Sequence, residues 1–168
     1  MYFIPDTSLT ASSTLATYDP AFSRLSSQSA WGAASSDETR PWIQADLGQT
    51  MQVQGVITAG HSAYSEYTTQ FTIEYGDTDS ASFSVIQDAE WNVVMFLANT
   101  DATTQVINMF PTAIVARYVR LHIEEFRLWP STRWELLGCE NTGEIIRYAN
   151  EIQRRTNMLS SLTDQTYM

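Results

Sequence analysis

Residues 61 to 70 read His61-Ser-Ala-Tyr-Ser-Glu-Tyr-Thr-Thr-Gln70. Tyr64 and Tyr67 offer ring faces that can stack on a sugar or on a peptide side chain. His61, Ser62 and Glu66 supply donors and acceptors in the same short stretch. Polar groups around an aromatic platform suit glycans and peptides better than lipid tails. The bland alternative is a hydrated loop with one tyrosine folded inward. A second pair, His122-x-Glu124, could contribute to a metal site, but two ligands do not make one. His122 falls one position out of register with Val119, Leu121 and Ile123, which turns it towards solvent or the opposite sheet face. The chain has no Gly-x-Ser-x-Gly elbow, no His-Glu-x-x-His helix and no glycine-rich phosphate loop before lysine. Its one cysteine, Cys139, lies in a terminal strand, where packing or a disulfide is a better use than nucleophilic chemistry. These residues point to binding and not to catalysis, with no cofactor.

Charge narrows the ligand. The 168 residues carry a net charge of -10, contain arginine but no lysine, and distribute that charge unevenly. Residues 1–116 hold 12 acids against two arginines, whereas 117–168 balance seven against seven. An acidic front argues against nucleic acid, because phosphate neutralisation needs clustered cations. It argues equally against docking on anionic membranes. With 43% hydrophobic and 12% aromatic residues there is ample material for one core and an appendage. The apolar runs are too short to span a bilayer. No basic-then-apolar signal opens the chain, so it is either a mature or trimmed segment or one that stays off the secretory route.

The elements that must carry these residues follow from periodicity. Thr10 to Ser36 is rich in Ser, Ala and Thr, with an Asp19-Pro20 turn signal and anchors at Leu15, Tyr18, Phe22, Leu25 and Trp31. From Pro41 to Leu137, apolar and polar residues alternate in short runs, as in Phe71, Ile73 and Tyr75 or Val119, Leu121 and Ile123. Breaks fall at Gly48-Gln49, Gly76–Asp79 and Asn99–Asp101. Many short alternating strands predict a β-sandwich or barrel. After Cys139 the period changes. Ile145, Tyr148, Ala149, Ile152, Thr156, Leu159 and Leu162 share one helical face, predicting an amphipathic helix over 143–162. The division is therefore a β domain at 1–140 and a helical tail or linker at 141–168. The tail could pack on its own sandwich, join a neighbouring domain or pair with another chain.

Two segments sharpen the fold: Pro41-Trp-Ile-Gln-Ala-Asp-Leu-Gly48 and Arg133-Trp-Glu-Leu-Leu-Gly-Cys139. Each reads as an alternating strand closed by glycine, with a charged group (Asp46 or Arg133) among apolar neighbours, where a charge must be satisfied. Together with Ile4–Ser13, Ala30-Trp31, Gly55–Gly60, Phe71–Tyr75, Asn99-Thr100, Phe110-Pro111 and Ala116–Leu121, they resemble the discoidin, or F5/8 type C, domain family in the right order. The resemblance implies an all-β jelly-roll sandwich of about eight main strands. It also implies an extracellular or cell-surface recognition or adhesion module whose loops, at one end, bind a glycan or a protein partner.

The resemblance also distributes the site. The first loop, Ser13–Pro20, offers Leu15, Tyr18 and Asp19 and no basic residue, which departs from the lipid-binding members and disfavours phosphatidylserine. Leu15 and Tyr18 serve either the ligand or the packing of their own loop. The second loop holds His61, Ser62, Tyr64, Glu66 and Tyr67. Arg127 and Trp129 come from a third patch, and Asp37 falls near a position that receives basic ligand groups in peptide-binding members. His61, Asp37 and Arg127 are loose equivalents of the groups that sugar-binding members use, and an acidic rim of Asp19, Asp37 and Glu66 favours a cationic or hydroxyl-rich ligand. Asp46 and Arg133 read as a partly buried ion pair or hydrogen-bond network, and Trp31, Trp42 and Trp134 as core or lid. In the family the closing cysteine usually bonds to one before the first strand. Cys139 therefore either has a partner upstream of Met1 or lives reduced. Some members carry calcium, but no acidic cluster here demands it. The competing reading is a structural interaction module, with the tail as connector.

Overall fold

The alternation between Trp42 and Leu137 is realised as antiparallel strands in a computed structural model, which describes residues 4–79 and 82–139. The expected helix over 143–162 lies outside the described residues. Eight strands are described: β1 (Leu9–Ala11), β2 (Trp31–Gly32), β3 (Trp42–Ala59), β4 (Tyr67–Gly76), β5 (Ser84–Val85), β6 (Phe96–Leu97), β7 (Val106–Arg127) and β8 (Ser131–Cys139). Their order is β2-β8-β3-β7-β4-β5, with β1 added to β3 and β6 to β4.

The long strands β3 and β7 each serve two groups of neighbours, which makes the sheet a sandwich. The first half of β3, Trp42–Asp46, pairs with Tyr118–His122 of β7, and β7 pairs there with β4. The second half of β3 pairs with the opening half of β7 and with β8, from Gln52↔Cys139 to Ala59↔Arg133. The register shifts between Asp46 and Met51, where Gly48 takes a φ of 74°. That left-handed value is open to glycine at no steric cost, and a shift of this kind bends the strand. Asp46 pins the bend. Its carboxylate accepts from the Gly48 N–H at 2.8 Å and takes a two-pronged contact from Arg117, both prongs at 2.8 Å. The Arg117 hydrogen bonds, with that from Gly48, hold the Asp46 carboxyl below the ordinary carboxylate value. Asp46 is thus the ion-paired charge, and its partner is Arg117, not Arg133.

Ile43, Val56, Phe71, Ile73, Val119, Leu121 and Ile123 are all buried in one core with Trp31 and Trp134. Phe71 stacks on Phe96 at 5.1 Å, and Phe96 meets Phe110 at 5.7 Å, closing the side between β4 and β7. Trp42 differs from the other two tryptophans. It is half-buried, and the Arg120 guanidinium lies 4.0 Å over its ring and 4.6 Å over that of Phe83. The cation–π contact and the two Arg120–Gln44 hydrogen bonds make this a polar lid on the sheet. His122 is on the face opposite the core, but it is covered: it is 6% exposed, with Nε2 2.9 Å from Glu74 and Nδ1 3.3 Å from the Arg40 carbonyl.

Candidate functional site

Arg133 organises one end of the sandwich. It is buried, and its guanidinium donates to the carbonyls of Gly60 at 2.7 Å, Leu25 and Ser27 at 3.0 Å, and Ala102 at 3.4 Å. All four acceptors are main-chain groups, so among the described residues Arg133 is the hydrogen-bond network and not half of an ion pair. A planar fork of five donors suits this work. The result gathers three loops around one side chain: the segment after the short 3-10 turn Pro20–Ser23, the β3–β4 loop, and the β6–β7 loop.

Each loop is then closed by its own polar groups. In the β3–β4 loop, the His61 N–H donates to the Glu66 carbonyl at 2.9 Å and the Tyr64 N–H to the His61 carbonyl at 3.3 Å. Ser62 Oγ donates to the Gln28 carbonyl, tying this loop to the segment before β2. In the β6–β7 loop, Asp101 Oδ1 accepts from the N–H groups of Thr103 and Thr104, each at 2.7 Å. The first loop is set by Gly32. Leu15 N–H donates to the Gly32 carbonyl at 3.0 Å, Gly32 N–H donates to the Tyr18 carbonyl at 3.2 Å, and the Tyr18 ring lies against the position a Cβ on Gly32 would take. Asp19 caps the Pro20–Ser23 turn by accepting from the Ala21 N–H at 2.9 Å.

At the centre stands an aromatic cluster. His61 is 4% exposed and packs between Tyr18, at 5.0 Å, and Tyr64, at 4.8 Å and edge-on. Tyr64 itself is 57% exposed, so its ring is presented to solvent on a buried support. His61 Nδ1 accepts from the Ala63 N–H at 3.1 Å, which leaves Nε2 to carry the proton towards Ser29 Oγ at 3.3 Å. Burial holds the imidazole below its ordinary value, with Arg133 acting in the same direction and Glu66 against it. Burial first, then the Glu66 charge, pushes the Tyr18 hydroxyl up to about 12, so it stays a donor.

The structure therefore brings Tyr18, His61, Ser62, Tyr64 and Glu66 together. Tyr67 opens β4 half-buried against Gly60, so one tyrosine of the pair is presented and the other serves the scaffold. Leu15 is half-buried in its own loop. Trp129 donates from Nε1 to the Ala33 carbonyl at 2.9 Å, beside the Gly32 floor. Arg127 is exposed and in register with Tyr67, and Asp37 is exposed, with its N–H turned to Ser35 Oγ. Sequence reasoning missed Gly32, Ser29 and Gln28. Ser29 and Gln28 act through a serine-rich turn without a distinctive pattern. Among the described residues no group of three or more His, Cys, Asp or Glu is placed to hold a metal ion.

An antiparallel sandwich with a loop end built in this way is the architecture of a recognition module. The sequence profile of the F5/8 type C domain matches residues 8–137, and the chain belongs to that family. Domains of this family are non-catalytic binding modules. The chain is 33% identical over 149 residues to coagulation factor V of Mus musculus, covering 83% of this chain and 7% of that protein's length. Among solved structures it superposes on discoidin II from Dictyostelium discoideum with a TM-score of 0.69, at 20% identity, over 77% of this chain and 53% of that one. Chitosan-binding module 1 from a chitosanase/glucanase of Paenibacillus sp. IK-5 gives a TM-score of 0.58 at 21% identity, over 76% of this chain and 92% of that one. Among the described residues no helix is long and apolar enough to cross a membrane.

Proposed function

We propose that the chain is an extracellular recognition module that holds a glycan at its loop end, on the ledge of Tyr64, His61 and Tyr18. The observation that carries this reading is the Tyr64 ring, more than half exposed yet backed by a buried histidine. A rigid ring of this kind stacks on a sugar face with little loss of side-chain freedom. Glu66 in the same loop as Tyr64, and Asp19 beside Tyr18, favour neutral or amino-bearing sugars over uronic acids. The likeness to a chitosan-binding module supports the same class. The acidic first loop, with Leu15 half-buried and no cation beside it, favours a glycan over an anionic phospholipid.

A glycan array probed with the chain and with Tyr64→Ala tests the proposal. Neutral or amino sugars should be retained by the parent, and the variant should bind them about tenfold more weakly. Flotation with phosphatidylserine liposomes at physiological salt, with no glycan hit, would replace this reading with the lipid one.

A further inference from the structure

The segment approaching β6 breaks the rule that an edge strand should be polar on its outer face. Val94, Phe96 and Ala98 point inward, Phe96 and Ala98 being buried and Val94 packed on the core. Their alternates point out and are apolar as well: Val93 is 49% exposed, Met95 47% and Leu97 71%. Trp91, in the turn that leads into this segment, is 80% exposed, the barest of the large hydrophobic side chains described. It sits at φ 66°, a conformation that bulky residues rarely adopt. The turn holds it there: Asp88 Oδ1 accepts from the N–H groups of Glu90 and Asn92, each at 2.9 Å, and Gln87 Nε2 donates to the Trp91 carbonyl at 2.9 Å. The indole is thus displayed at the head of an apolar row.

Charge selects what such a row would meet. No arginine or lysine occurs between residues 41 and 116. Asp88 and Glu90 precede Trp91 in its turn, and at the other end Gln70, the register partner of Leu97, donates to Glu125 at 2.7 Å. A second copy would bring the same acids against each other, and an anionic lipid surface would be repelled in the same way. We infer that the row Trp91, Val93, Met95 and Leu97 is a second recognition surface, which docks a protein segment carrying apolar side chains flanked by lysine or arginine. It runs along the β4 edge of the sheet and is independent of the sugar reading at the loop end.

A fluorescein-labelled amphipathic peptide of leucine and lysine, about five helical turns long, serves as the probe, with a leucine and glutamate peptide as its control. The full chain should bind the lysine peptide and not the glutamate one. Trp91→Gly, which suits the positive φ, combined with Leu97→Ser should weaken binding by about tenfold or more, while Tyr64→Ala should leave it unchanged. Equal affinity in the double variant would overturn the inference, since bulk charge alone would then hold the peptide. Dimers of the unliganded chain in sedimentation, abolished by Trp91→Gly, would reassign the row to self-association. Phosphatidylserine vesicle binding abolished by the same change would reassign it to membranes.

Discussion

Arg133 and His61 show how much of the loop end rests on single buried groups. Removing the Arg133 side chain leaves several main-chain carbonyls without donors, and a buried group left unpaired costs about 1–3 kcal/mol. Arg133→Ala should therefore lower stability by about 3 kcal/mol, a fall in melting temperature of roughly 6–12 °C for a domain of this size. A melting curve that stays in place while binding disappears would make Arg133 a ligand contact instead. His61 gives a pH dependence whose sign is fixed by its burial. Burial holds its folded value below the ordinary 6.5, with the Glu66 charge opposing and the Arg133 charge adding to it, while Tyr18 and Tyr64 pack on its ring. As pH falls the unfolded chain takes the proton first. The stability contribution is therefore complete above 6.5 and is lost as pH drops through the folded value. Protonation would also take Nδ1 from the Ala63 N–H, loosening the loop that presents Tyr64. Melting temperatures from about pH 7.5 to 5 should fall more steeply for the parent than for His61→Gln, and parallel falls would clear His61 of this role.

Among the elements, β2 has a weight out of proportion to its two residues. Gly32 pairs with β8, bonds to both ends of the Leu15–Tyr18 turn, and leaves room for the Tyr18 ring. Gly32→Ala should push that ring off His61 and weaken glycan binding by about tenfold, while the core and most of the thermal stability remain. Unchanged binding would show that Tyr18 is dispensable. Why some of this was legible and some was not follows from the kind of partner involved. Strand alternation reports the core directly, so Phe71, Ile73, Val119 and Leu121 were readable, as were the aromatic and polar groups of the β3–β4 loop. Arg133 was readable as a satisfied charge, but its acceptors are carbonyls from three distant segments, which no spacing encodes. Trp42 and Trp31 look alike in sequence, and only the pairing of β3 puts one under Arg120 and the other in the core. Val93–Leu97 is an unbroken apolar run, in which period-two alternation cannot be seen.

For the whole molecule, the acidic balance is a statement about company. A net charge of -10 works against pairing of an exposed apolar row with its own copies, and it favours cationic partners at that row. Association with a lysine-bearing partner should slow steeply as salt rises, whereas binding of a neutral sugar at Tyr64 should scarcely respond. Kinetics measured at two ionic strengths separate the two surfaces.

The order in which the chain closes carries one more consequence. Trp31 waits for Thr132, and Gly60, Leu25 and Ser27 wait for Arg133. During synthesis the loops that form the ledge are thus made early and assembled late, once β8 has left the ribosome. A nascent chain stopped before β8 would carry every residue of the ledge and bind nothing.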